Sequence, residues 1–209
     1  MKVDRTCIGS SPARPLEWAQ GRADAPITLI EYGSLTCNHC ARFNDEVKPA
    51  LKQAFIDTGH VRFIFRPYPT PPESLSVAMH ILTICAGPSR YYELVDAFFQ
   101  RQQNIFQAAT TRNGPRDELF RIARDAGGLT TQRSVACLRD QAILDQVRAS
   151  MDAGNAAGVR ATPSLFINGQ AFNPPSQQRY DIENITAALN AELARLGPRT
   201  SSRPKAARQ

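Results

Sequence analysis

The clearest change in hydrophobic and polar patterning begins after Pro26. Residues 27–33 read Ile-Thr-Leu-Ile-Glu-Tyr-Gly, a β-rich run that ends in small and polar residues and predicts a buried strand. Over residues 38–56 the period changes, with Phe43, Val47, Leu51 and Phe55 recurring at every fourth position. That is the stripe of an amphipathic helix, which Pro49 is expected to kink. A second short strand is predicted at 61–65, Val-Arg-Phe-Ile-Phe, closed by Pro67 and Pro69. Strand, helix and strand in this order form a βαβ unit.

Residues 73–158 contain no convincing strand pattern. Helical spacing recurs instead at 75–85, 91–103, 117–126, 131–139 and 142–157, which predicts a helical insert. Pro-Ser-Leu-Phe-Ile-Asn at 163–168 then predicts a strand, Asn168-Gly169 a hairpin turn, and 170–172 the returning strand. A last helix over 181–196 has Asp181 as its N-cap and stops at Gly197-Pro198. No internal repeat is visible. The expected division is an N-terminal extension (1–25), an α/β domain built from 26–71 and 159–196, a helical insert (72–158) and a basic tail (197–209).

Composition adds little to this picture. The 209 residues are 42% hydrophobic and 21% charged, the balance of a globular protein that needs no disulfide merely to fold. The net charge of +6 is concentrated at the end, where Arg199, Arg203, Lys205 and Arg208 meet no acid. With Gly, Pro, Ser and Thr interleaved, this reads as a disordered, solvated tail, the alternative being a patch for anionic surfaces or acidic partners. The body is nearly neutral, and no nucleic-acid partner is expected. No run approaches the ~18 apolar residues of a membrane span. The first residues lack the apolar core of a secretory signal, so either an export signal is missing from this sequence or the protein stays in the cytoplasm.

The candidate chemistry lies in the five cysteines, Cys7, Cys37, Cys40, Cys85 and Cys137, an odd number that leaves at least one thiol unpaired. Cys37-Asn38-His39-Cys40 by itself could be a redox pair, half of a zinc site, or a coincidence of spacing. Zinc needs two further ligands at suitable spacing, and neither the isolated Cys85 and Cys137 nor His60 and His80 supply them, so no metal is expected. The pair also sits where a strand ends and a helix begins, close to unsatisfied backbone N–H groups and the positive end of the helix dipole, which favours a Cys37 thiolate. His39 could add charge or a hydrogen bond to that sulfur; its bland alternative is a solvated first-turn residue.

Two further features bear on the pair. Glu31 stands in an otherwise apolar strand, where a carboxylate is costly unless paired or protonated. It reads as a proton relay for the resolving thiol Cys40, or else as a strand-end acid that reaches solvent. Thr162-Pro163 opens the late strand; a cis peptide there would let the Thr162 backbone face the sulfurs and an extended substrate, whereas a trans proline would simply start an edge strand.

The segment Leu29-Ile30-Glu31-Tyr32-Gly33-Ser34-Leu35-Thr36-Cys37-Asn38-His39-Cys40 resembles the active-site strand and helix of the DsbA-type thiol–disulfide oxidoreductases, including the acid six places before the first cysteine. Gly158-Val159-Arg160-Ala161-Thr162-Pro163-Ser164-Leu165-Phe166-Ile167-Asn168-Gly169 is similar to their cis-proline strand, and the likeness extends over about residues 26–196. The resemblance implies a thioredoxin fold with an inserted all-helical subdomain. It also implies oxidation of polypeptide thiols by dithiol–disulfide exchange, with Cys37 reactive, Cys40 buried, His39 stabilising the thiolate, Glu31 relaying a proton, and Thr162 and Pro163 contacting substrate. No cofactor is required, reoxidation comes from a membrane quinone-linked partner, and the setting is periplasmic or otherwise extracytoplasmic. The short segment before the first strand argues for a monomer.

Asn38 replaces the proline that the best-known oxidases carry there, and Thr162 also occurs in relatives that reduce or isomerise disulfides. A reductase or isomerase is therefore the nearest rival, and a non-enzymatic chaperone or soft-metal carrier the rival of another class. The family likeness suggests a structural Cys85–Cys137 disulfide, the alternative being two buried free thiols. Cys7 reads as an unpaired residue of a flexible segment or a remnant near an export signal.

Overall fold

The computed structural model describes residues 15, 17–112, 114–174 and 180–197. Cys7 and the basic segment expected beyond Gly197 lie outside the described residues.

At the centre runs β2 (Ile27–Gly33), where Ile27, Leu29 and Glu31, at alternate positions and hence on one face, all turn into the interior. Strand β3 (Val61–Pro67) pairs with it in parallel, placing Phe65 opposite Glu31. It runs two residues beyond the predicted 61–65, because Arg66 and Pro67 stay in register with Tyr32 and Gly33. On the other side of β2 lies antiparallel β4 (Ser164–Ile167), with Leu165 opposite Glu31. A hairpin leads to β5 (Gln170–Phe172), and its turn residues Asn168 and Gly169 have φ of 48° and 81°, a conformation these two residue types adopt readily.

One strand carries no signature in the sequence. The two residues of β1 (Ala19–Gln20) pair antiparallel with β3, giving the sheet order β1-β3-β2-β4-β5. They fall within the expected N-terminal extension and are too few to show a period.

The helix after β2 is one continuous run with changing pitch: α1 (Asn38–Arg42), a π-helical turn (Phe43–Val47), α2 (Lys48–Leu51) and a second π-helical turn (Lys52–Ile56). Pro49 lacks an N–H and its ring crowds the carbonyl of Asp45, so the wider turn just before it is where the helix absorbs the misfit. The predicted stripe is buried, Leu51 completely. Truncating that side chain to alanine is expected to cost about 2–5 kcal/mol.

Between β3 and β4 lie α3 (Glu73–Cys85), α4 (Tyr91–Gln100), α5 (Gln102–Ala109), α6 (Arg116–Asp125), α7 (Thr131–Cys137) and α8 (Gln141–Ala156). The pattern at 91–103 predicts a single helix, but the structure breaks it at Arg101, where φ −107° and ψ 14° leave the helical region, and starts α5 at the next residue. Cys85 and Cys137, the last residues of α3 and α7, are joined as a disulfide with their Cα atoms 6.1 Å apart. Helix α9 (Ile182–Leu196) is capped by the Asp181 carboxylate, which accepts from the Asn184 N–H, and lays Ile185 and Leu189 into the core beside α2 and β2.

Candidate active site

Strand β2 ends at Gly33, a position where only glycine fits: a Cβ would come within 2.3 Å of the Phe65 ring and 3.0 Å of Glu31 Oε1. The chain then turns, with the Cys37 N–H donating to the Ser34 carbonyl at 3.0 Å. This delivers Cys37 to the N-cap of α1 in an extended conformation, where its Sγ accepts from the Cys40 N–H at 3.3 Å. A sulfur here takes the place of the capping oxygen of Ser or Asp, and the donor it engages favours its anionic form.

The two sulfurs are set oppositely. Cys37 is half-buried and its pKa is lowered from 9.0 to about 5. The main cause is the hydrogen bond from the Cys40 thiol, helped by the Thr162 side chain and the backbone N–H groups of Cys40 and His39, and opposed by partial burial. Cys40 is fully buried and its pKa is pushed upward, first by desolvation, then by its hydrogen bond to Cys37 and by the nearby charges of Glu31 and Cys37.

Glu31 does not reach solvent, being 2% exposed. Desolvation raises its pKa from 4.5 to about 8, Lys48 opposes that rise and the Cys37 charge adds to it. Lys48 is itself buried, its Nζ donating to Asn44 Oδ1 at 3.0 Å and Asp96 Oδ1 at 2.6 Å while facing the rings of Phe63 and Tyr92. His39 is exposed, and its imidazole lines an open groove of about 490 Å³ together with Arg42, Phe43, Glu46, Thr162 and Pro163.

The late strand completes the site. The Thr162–Pro163 peptide is cis, and the protonated Cys37 thiol donates to the Thr162 carbonyl at 3.3 Å. Cys37, Cys40, Glu31, His39, Thr162 and Pro163 thus converge on the start of α1. Cys85 and Cys137 stand apart from them in the helical block.

Several contributors carry no visible sequence signal. Ser34 Oγ meets Thr36 Oγ1 at 3.0 Å and Ser76 Oγ at 2.9 Å, and accepts from the Thr70 N–H at 3.1 Å, all behind the turn. Gln102 Nε2 donates to the carbonyls of Leu35 and Cys37. Lys48 sits beside Val47 in the apolar stripe, where a lysine reads as a surface position.

A "Putative protein-disulfide oxidoreductase" of Rickettsia bellii is 30% identical over 174 residues, which are 83% of this chain and 63% of that protein. The chain thus spans less than two thirds of that relative. A "Probable disulfide bond formation protein D" of Bacillus anthracis is 25% identical over 177 residues, covering 83% of this chain and 76% of its own length. In three dimensions the crystal structure of alpha-DsbA1 of Wolbachia pipientis superposes with a TM-score of 0.72 at 24% identity, over 88% of this chain and 97% of that one, so the fold is shared. Because the family model described as thioredoxin matches residues 14–190, most of the chain, this protein belongs to the thioredoxin family.

Proposed function

We propose that this protein is a thiol–disulfide oxidoreductase that oxidises polypeptide thiols through Cys37 and Cys40. The observation that carries the reading is the contrast between the two sulfurs: Cys37 is accessible with a pKa of about 5, and Cys40 is sealed with its pKa raised. A stabilised thiolate makes the reduced form favourable, and hence the disulfide form a good oxidant.

In the oxidised protein a substrate thiolate attacks Cys37 Sγ. The Cys37–Cys40 bond breaks, and its electron pair leaves with Cys40, which takes a proton from Glu31. With a pKa of about 8, Glu31 holds that proton at neutral pH. The substrate's second thiolate then attacks its own sulfur in the mixed disulfide and expels Cys37 as the well-stabilised thiolate. The substrate has lost two electrons and the protein has gained them.

Thr162, whose carbonyl meets Cys37 Sγ, and Pro163 border the groove, where a substrate in extended conformation would pair with the backbone. His39 contributes its backbone N–H to the thiolate and its ring to the groove. Residues 26–71 and 159–196 carry the redox pair and the substrate contact, and the insert at 72–158 is held by the Cys85–Cys137 bond. The protein acts as a monomer without a cofactor in an extracytoplasmic, periplasmic setting, and a membrane quinone-linked partner returns it to the disulfide form.

Mass spectrometry of mixed disulfides formed by Cys40→Ser tests the reading, with Cys37→Ser as the silent control. Equilibration with glutathione tests direction: a potential of about −120 mV supports oxidation, and one of about −270 mV reverses it.

A further inference from the structure

The contacts between the helical insert and the redox turn carry an inference beyond the exchange chemistry. The turn runs from Ser34 to Cys37, closed by the Cys37 N–H to Ser34 carbonyl bond, and its central peptide joins Leu35 to Thr36. The central peptide is the soft element of a β-turn, since rotating it exchanges the directions of its carbonyl and N–H while the ends barely move. Here both of its polar groups are held. Its N–H donates to Ser34 Oγ at 3.3 Å, and its carbonyl, that of Leu35, accepts from Gln102 Nε2 at 2.9 Å. The same amide nitrogen donates to the Cys37 carbonyl at 3.2 Å, which also accepts the first helical bond, from the Ala41 N–H at 3.0 Å.

Gln102 belongs to the insert, 65 residues beyond Cys37. It is 2% exposed, flanked by the fully buried Phe98 and Ile105. A buried amide at such a position is costly unless its partners are in place. The break at Arg101 lets it be the first residue of α5 rather than the continuation of α4. From α3, Ser76 reaches the same turn through its 2.9 Å contact with Ser34 Oγ.

We infer that Gln102 is a positioning residue for the redox pair, by which the helical insert locks the turn before Cys37 so that the backbone N–H groups of His39 and Cys40 stay aimed at its sulfur. The inference rests on the reading of Cys37 as the reactive sulfur. Without the amide donor the Leu35 carbonyl loses its protein partner, the central peptide is freed, and the N-cap geometry loosens. The thiolate then loses alignment with its donors and the thiol form gains. The insert is on this view part of the device that sets the reactivity of Cys37.

The test is Gln102→Met, which matches the length of the side chain without its donors, measured on the whole chain. Thiolate absorbance is expected to titrate at a pH higher by up to about one unit, and the equilibrium constant against glutathione to shift toward disulfide by about threefold to tenfold, the range for losing one or two hydrogen bonds. Ser134→Ala, which removes a buried hydroxyl elsewhere in the insert that has no hydrogen-bond partner among the described residues, is expected to change neither. An unchanged titration and potential in a folded Gln102→Met protein would overturn the inference, as would a loss of stability equal in the oxidised and reduced forms. Should that variant not fold, Gln102→Leu, which also lacks the donors but is shorter and branched, replaces it: a titration at higher pH supports the clamp, and the parent titration curve refutes it. Insulin reduction and dithiol oxidation by the parent protein are run alongside. A parent without exchange activity sinks the proposed function, while the titration comparison still decides the role of Gln102.

Discussion

The carbonyl oxygen of Thr162 lies 3.3 Å from Cys37 Sγ although 125 residues separate them. The chain leaves the sheet after β3, builds the whole helical insert, and returns through α8 to β4 before this contact can form. The candidate site is therefore a tertiary product, with one wall from the start of α1 and the other from the residues just before β4.

That contact separates two roles of Thr162. Its carbonyl meets the protonated sulfur, while its side chain helps to hold the thiolate. Thr162→Val keeps the shape and the carbonyl but deletes the hydroxyl, so the Cys37 pKa is expected to rise from about 5 by less than one unit. Ultraviolet titration of the reduced variant checks this, and a lower pKa would contradict it.

Glu31→Gln is expected to stabilise the fold while slowing exchange. Burial raises the carboxyl from 4.5 to about 8, so between those values the unfolded chain ionises and the folded one does not. Its cost is absent below the unfolded value, grows as pH rises, and is complete above about 8. At pH 7 the variant should gain up to about 3 kcal/mol in urea unfolding, with little gain at pH 4. Exchange at neutral pH should fall about a hundredfold, the scale of losing a proton donor. Equal gains at both pH values would refute the assigned ionisation.

His80 predicts acid sensitivity. It is fully buried, stacks on Phe65 at 5.9 Å, and neither ring nitrogen has a hydrogen-bond partner among the described residues. Burial lowers its pKa from 6.5 to about 3, so its neutral form is favoured in the fold and stability is lost as pH falls through that window. His80→Leu should be more stable than the parent by up to about 3 kcal/mol at pH 4. Thermal melts across pH 3.5 to 7 measure this, and an advantage that does not grow on acidification would count against it.

Period and punctuation along the chain make much of the fold legible. The bounds of β2 follow the run at 27–33, the Asn168-Gly169 turn marks the hairpin, and Asp181 marks the start of α9. Strand β1 stays hidden because two residues carry no period. The break at Arg101 is hidden because apolar spacing continues through Phe98, Phe99 and Ile105 on both sides of it. Within the site, Cys37, Cys40 and Glu31 stand out as residue types placed against their pattern. Lys48 and Gln102 do not, since a polar residue in a helical stretch looks like a surface position until a distant carbonyl or carboxylate is brought to it.

The most direct test is the thiolate titration of the reduced protein, followed by ultraviolet absorbance and by the rate and site of alkylation. Modification should fall on Cys37 with a midpoint at about 5 while Cys40 stays unmodified across neutral pH. A midpoint near the ordinary 9.0, or equal labelling of both sulfurs, would contradict the account.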